Sequence, residues 1–365
     1  SPTIFHREDL KNLVDKLKGF FDFSKVGNFT VEIDPRRVDE DRLLWNHEAC
    51  GANRLSFGLQ DFDATVQRRV NRIQPPEVFK NILTEEVRKV YKTIAFDLLI
   101  GQPGQTLETM SKTCDQIIEL EPTLIQLSLM AYKPWVAKYQ VRMVAEGPLP
   151  DFLDRKELVE VINEKLVKAG YLRTGFECYS LPTDSMTKAF KEGTAHYGAS
   201  GHQTGGRVNF VAVGSSSKGN LGNDYYSQSF YDLPSYKKCI DNGKFPTFRG
   251  MKLTKDDKIR QHATQQLRSY FKIDFKQFEN LFKINPKEYF SVEIEYMKEM
   301  IKDGLIIITD GSIEMTEIGR EFSQNIMNVF DKYDPPTKSY EERLETINKA
   351  KLAQADVQKE LINLN

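Results

Sequence analysis

Apolar and polar side chains alternate with a period of two in several early stretches of the chain, and runs with helical spacing separate them. Phe29, Val31 and Ile33 share one parity against Thr30, Glu32 and Asp34. Leu55, Phe57 and Leu59 oppose Arg54, Ser56, Gly58 and Gln60. Further on, Ile94, Phe96, Leu98 and Ile100 face away from Thr93, Ala95, Asp97 and Leu99, and Ile125, Leu127 and Leu129 from Gln126 and Ser128. Each stretch predicts a strand. Helical patterns lie between them: residues 38–49, two runs after Gln60, and one capped at Thr106 after the Gly101-Gln-Pro-Gly104 turn. An earlier helix is expected to bury Leu10, Leu13, Leu17 and Phe20. Alternating strands and helices predict a parallel sheet with crossover helices.

The polar parity separates two architectures. An open doubly wound sheet is covered on both faces and gives continuously apolar strands. Here Glu32, Gln60 and Asp97 sit on the polar parity, at or near the C-terminal ends of their strands. That is the pattern of a barrel interior with its site at the C-terminal mouth. The units are too few for eightfold closure, so the expectation is an α/β fold with a partial (β/α) barrel. Within residues 52–72, a strand ending in Gln60 leads to a run carrying Arg68, Arg69 and Arg72. An amide followed by arginines can wall a polar pocket; the same residues also fit an ordinary strand, turn and solvated basic helix.

Beyond Pro150 the pattern predicts a helix to Ala169, a strand over 170–180 and a helix over 186–196. Residues 197–222 are rich in Gly and Ser, as in a surface loop or lid. Tyr225, Tyr226, Tyr231 and Tyr236 suit either packing or a flat apolar ligand. Thr254 with Asp256 and Asp257 marks a helix start, and Asp310-Gly311 the turn of a hairpin. These features predict a small, mostly α, winged-helix-like domain. Its wing carries Asp303, Asp310 and Glu314, which argues against phosphate contact. The expected domains are 1–247, 248–335 and a charged tail, 336–365.

Composition narrows the function. A formal net charge of -1 over 365 residues argues against a dedicated nucleic-acid binder. No apolar run approaches the ~18 residues of a membrane span, so a soluble, cytoplasmic protein is expected; a monomer is expected as its form. Cys50, Cys114, Cys178 and Cys239 are scattered, and no metal-ligand spacing is present.

Several blocks carry a resemblance: EIDPR from Glu32, NRLSFGLQDF from Asn53, VNR from Val70, FDLLIGQPGQT from Phe96, RGMKLTKDDKIR from Arg249 and MTEIGREFSQNIMNVFDKY from Met315. In order and spacing the chain resembles the oxygen-independent coproporphyrinogen III oxidases, radical S-adenosylmethionine (SAM) enzymes of haem synthesis. The resemblance implies a partial barrel holding SAM and a 4Fe–4S cluster, a tetrapyrrole substrate, and an electron donor and acceptor. It implies oxidative decarboxylation of two propionates to vinyl groups through a 5′-deoxyadenosyl radical. Glu32, Gln60, Arg72 and Asp97 resemble the family's SAM contacts, Ala131 a backbone contact, and Lys218 stands near a SAM neighbour that is apolar in the family. The family binds its cluster through CxxxCxxC upstream of GGGTP, whose end Ser1-Pro2-Thr3 resembles. The chain as given is therefore expected to lack the cluster ligands and the first strands, and to be inactive. FECYS (Phe176 to Ser180), GHQTGG (Gly201 to Gly206) and SSSKG depart from the family pattern. The alternatives are a radical SAM methyltransferase acting on another substrate and a non-catalytic haem- or porphyrin-binding protein.

Overall fold

A computed structural model describes residues 2–132, 138–144, 147–198, 201–205, 209–221 and 224–334. The expected tail lies outside the described residues. The chain forms two compact units, Ser1–Gly193 and Thr194–Asn365. The division falls at a helix-ending glycine, and position 247 instead begins a strand, Thr247–Lys252.

The first unit is built on a six-stranded sheet. Its strands are β1 (Thr30–Ile33), β2 (Arg54–Gln60), β3 (Thr93–Ile100), β4 (Leu124–Leu129), β5 (Leu172–Arg173) and β6 (Cys178–Ser180), in the order β1-β2-β3-β4-β6-β5. Pairing is parallel from β1 to β4 and antiparallel at β4–β6 and β5–β6. The helices are α1 (Arg7–Lys18), α2 (Glu40–Cys50), α3 (Ala64–Arg69), α4 (Pro76–Ile82), α5 (Glu85–Val90), α6 (Leu107–Glu119), α7 (Phe152–Lys168) and α8 (Ser185–Glu192).

The apolar parity is buried against these helices, as alternation requires. Val31, Phe57, Phe96, Ile125 and Tyr179 join Leu43, Phe79, Val87, Ile117 and Ile162 in one core. Phe79 sits at its centre, edge-to-face with Phe57, Phe62 and Phe96 at 5.8, 5.3 and 5.3 Å. Such pairs contribute about 0.5–1.5 kcal/mol each beyond burial. The polar parity is left on the opposite face, in agreement with a half-barrel. At its N-terminal end, Asp184 caps α8 and accepts hydrogen bonds from the hydroxyls of Thr93 (2.8 Å) and Thr123 (2.7 Å).

Two expectations are corrected. α1 buries Leu10 and Val14, which pack near Cys50, Phe23 and Trp45, whereas Leu13 and Phe20 are exposed. The helix ends at Lys18, so the stripe one turn longer has no surface to cover. Residues 170–180 form a hairpin instead of one strand, because Gly175 (φ 134°) and Glu177 (φ 63°) turn the chain.

The second unit holds a hairpin, β7 (His196–Gly198) with β8 (Gly201–Gln203), and an antiparallel sheet of β9 (Lys218–Leu221), β10 (Tyr225–Ser229) and β11 (Thr247–Lys252). After α9 (Leu233–Asp241) comes α10 (Lys255–Tyr270), which starts in the expected capping box of Thr254 and Asp257. A third sheet follows from β12 (Lys272–Asp274), β13 (Ile306–Ile308) and β14 (Ser312–Met315), with short helices between β12 and β13. The last two strands are the expected hairpin, giving a winged-helix-like arrangement.

Candidate active site at the mouth of the half-barrel

Strand register sets the site. Glu32 of β1 lies beside Ser56 of β2, and one step on, Asp97 of β3 lies beside Gln126 of β4. Ser56 Oγ donates to Asp97 Oδ2 at 2.9 Å. Burial raises the Asp97 carboxyl to about 6; the Ser56 hydrogen bond opposes that shift, and the charge of Glu32 adds to it. Two carboxylates thus share one mouth, which favours a cation or a set of hydroxyl donors between them.

The β2 end is irregular. Its register with β3 shifts between Phe57 and Gln60, and Gln60 takes φ 70° while Asp61 N donates to Leu59 O at 3.0 Å. This is a γ-turn centred on Gln60, a strained geometry for a residue with a Cβ. Gln102 Nε2 holds the turn through Gln60 O at 3.2 Å. Gln105 braces the neighbouring Gly101–Gly104 turn: its Oε1 accepts from Gly101 N and Gln102 N at 2.8 and 2.9 Å, and its Nε2 donates to buried Asp61 at 2.6 Å. Burial raises the Asp61 carboxyl, which also accepts from Thr113 at 2.8 Å.

Arg72 returns to the same place. α3 ends with Asn71 at φ 53°; Asn71 N donates to Arg68 O at 3.1 Å and Arg72 N to Gln67 O at 2.8 Å. That paired closure is the Schellman pattern with Asn in the left-handed position. The guanidinium then lies over Gly58, where a Cβ would stand 3.0 Å from Arg72 Nη2 and 3.1 Å from Gln60 Nε2. Glycine at 58 is what lets both side chains approach. Burial lowers the Arg72 pKa, as does the charge of Arg36; Asp34 acts the other way.

Glu32, Gln60, Arg72 and Asp97 therefore gather at the C-terminal end of one half-barrel. Ala131 follows β4, and its carbonyl accepts from Gln140 Nε2 at 3.0 Å. Lys218 belongs to the second unit, where it begins β9 and lines a cavity of about 390 Å³ with Phe210, Tyr226, Met251 and Gln261. Ser56 and Gln74 touch this set, Ser56 through Asp97 and Gln74 through Arg72. Ser56 was legible from its polar parity; nothing in the strand pattern marks Gln74.

The donor set can be tested against the cofactors that the resemblance implies. A guanidinium at the end of β2 and two carboxylates on the neighbouring strands offer partners for an amino acid's carboxylate and ammonium, so the donor set suits SAM. The cluster does not fit the described residues: among them, no three His, Cys, Asp or Glu side chains are placed to hold a metal ion. The four cysteines are free and buried, and burial pushes the Cys114 and Cys178 thiols up to about 12.

The fold is an α/β half-barrel with its mouth at the strand ends, and a solved radical SAM enzyme shares it. Coproporphyrinogen III oxidase from Escherichia coli, a radical SAM enzyme, superposes with a TM-score of 0.85 at 29% identity, covering 91% of this chain and 76% of that one. The chain is 32% identical over 337 residues to the oxygen-independent coproporphyrinogen III oxidase of Pseudomonas aeruginosa, covering 92% of this chain and 73% of that protein. The Helicobacter pylori enzyme is 32% identical over 334 residues, covering 91% and 72%. No family model matches the chain. The chain belongs to the oxygen-independent coproporphyrinogen III oxidase family.

Proposed function

We propose that the protein converts the propionates of coproporphyrinogen III to vinyl groups without oxygen, in haem biosynthesis, and that Glu32, Gln60, Arg72 and Asp97 contact SAM. Ala131 O is a further contact on this reading. The observation that carries it is the meeting of two carboxylates, an amide and a half-buried guanidinium at one strand-end mouth, in a chain with coproporphyrinogen oxidases as relatives. SAM, when bound and cleaved by one electron from an external donor, would supply the radical that takes hydrogen from the substrate side chain. Arg72 binds the amino-acid carboxylate, Glu32 and Asp97 hold ammonium or ribose hydroxyls, and Gln60 donates or accepts as the ligand requires. With its carboxyl at about 6, Asp97 is largely ionised at neutral pH, and an entering cation favours that form further. The apolar core behind the sheet keeps water from the back of the mouth. The substrate is a small tetrapyrrole served by an electron donor and acceptor; the working form is a cytoplasmic monomer without nucleic acid. No helix among the described residues is long and apolar enough to cross a membrane.

The test joins a CxxxCxxC segment ahead of Ser1, supplies iron and sulfide, and incubates the protein anaerobically with coproporphyrinogen III, SAM and a reductant. Chromatography of the oxidised porphyrins should show protoporphyrin. A methylated product would transfer the protein to the methyltransferase reading, and tetrapyrrole binding with no SAM binding to the non-catalytic one.

A further inference from the structure

We infer that Gln74 is a positioning residue: it fixes which edge of the Arg72 guanidinium faces the ligand, and so makes the mouth select ligands that carry a carboxylate. The inference rests on the proposed contact between Arg72 and SAM.

Arg72 is held on one side only. Its Nε donates to Gln74 Oε1 at 2.9 Å and its Nη2 to Gly58 O at 2.8 Å. Its Nη1 makes no hydrogen bond among the described residues. The carboxylate that Arg72 feels is Asp34, and Arg36 already grips that group through two bonds of 2.8 Å. A partly desolvated guanidinium therefore has one edge pinned and the other presented, with no carboxylate of its own. Arginine recognises carboxylates best through two parallel N–H groups, so the orientation of the presented edge decides the strength of that recognition.

The orientation is set by an amide that has no freedom. Gln74 is fully buried. Its Nε2 donates to Gly58 O at 2.9 Å and to Leu59 O. With Nε2 committed to two carbonyls, Oε1 must face Arg72. The Gln74 backbone is fixed in turn by Gln67: Gln74 N donates to Gln67 Oε1 and Gln67 Nε2 donates to Gln74 O, both at 3.0 Å. Gln67 Nε2 also reaches Asp61 O at 2.9 Å. Two buried amides thus tie the end of β2, the end of α3 and the Arg72 side chain together. An amide does this where a carboxylate could not: a Glu at 74 would face two carbonyl oxygens and would satisfy Arg72 itself.

The test compares SAM with decarboxylated SAM, which keeps the sulfonium and adenosine but lacks the carboxylate. Calorimetric titration of the wild-type protein should favour SAM by about tenfold or more, about 1.4 kcal/mol. Gln74→Glu, close in size, should weaken SAM by a similar factor and leave decarboxylated SAM unchanged. Gln74→Leu should act in the same direction, and neither should weaken SAM further when combined with Arg72→Ala. A Gln74→Glu variant that loses both ligands equally has only a structural lesion, and one that loses neither shows no positioning; each result overturns the inference. If Arg72→Ala leaves SAM affinity intact, the proposed site itself fails, and the inference with it. Should Gln74→Leu not fold, Gln74→Glu alone decides.

Discussion

Asp97→Asn should stabilise the first unit at neutral pH while weakening its ligand. The wild-type carboxyl is raised from 3.8 to about 6, chiefly by burial and further by Glu32. Between those values the folded state binds more protons than the unfolded one, so stability falls as pH rises from about 4 to about 6 and is level above. A tenfold change in proton affinity is worth about 1.4 kcal/mol, which gives a penalty of about 3 kcal/mol at pH 7.5 as an upper bound. Asn has no charge to desolvate, and its amide oxygen still accepts from Ser56. The variant should therefore gain about 1–3 kcal/mol over wild type at pH 7.5 and nothing near pH 4. Urea unfolding followed by tryptophan fluorescence reads the right unit, because Trp45 packs against Leu10, Val14 and Cys50 within Ser1–Gly193. A difference between the two proteins that is constant from pH 4 to 8, or that shrinks with rising pH, would refute the reasoning.

Gly58→Ala places a methyl 3.0 Å from Arg72 and 3.1 Å from Gln60; both are side-chain contacts, so stability should change by less than about 1 kcal/mol while SAM affinity in calorimetry falls several-fold. Phe79→Ala removes the hub of the aromatic core and should cost about 3–5 kcal/mol in the same urea assay. Gly319→Ala puts a Cβ 1.9 Å from Leu305 O, a backbone atom that cannot move aside. It should destabilise the second unit by several kcal/mol, seen as an earlier far-ultraviolet transition with unchanged tryptophan fluorescence.

The half-barrel was legible because one face is buried: a period-two pattern states which side chains meet the core. That logic placed Glu32, Gln60 and Asp97 on one face from the sequence alone, and the register then puts Glu32 beside Ser56 and ties Ser56 to Asp97. It failed where burial is not periodic. Leu13 and Phe20 look like a helical stripe, yet α1 covers the core with Leu10 and Val14. Residues 170–180 read as one strand because left-handed geometry at Glu177 leaves no mark in composition. Gln74 was invisible for another reason. A glutamine before two prolines reads as loop chemistry, and only the folded chain shows its amide committed to Gly58, Leu59, Gln67 and Arg72.

The braces around the mouth are built largely from amides, and the charge balance explains why. Gln67, Gln74, Gln102 and Gln105 all bond backbone or side chains at the ends of β2 and β3 or the turns after them. A γ-turn at a non-glycine residue costs of order 1–3 kcal/mol and persists only when its surroundings over-determine it. Carboxylates or guanidinia could supply those bonds, but each would add a charge within reach of Asp97 and Arg72. Their own balance is already unfavourable: burial favours neutral Asp97, and both burial and Arg36 disfavour charged Arg72. If SAM binds as proposed, neutral braces leave that imbalance for its amino-acid end to correct, the ammonium answering the carboxylates and the carboxylate the guanidinium. The strain in the turn and the frustration of the charges would then be separate stores, one held by amides and the other relieved by the ligand.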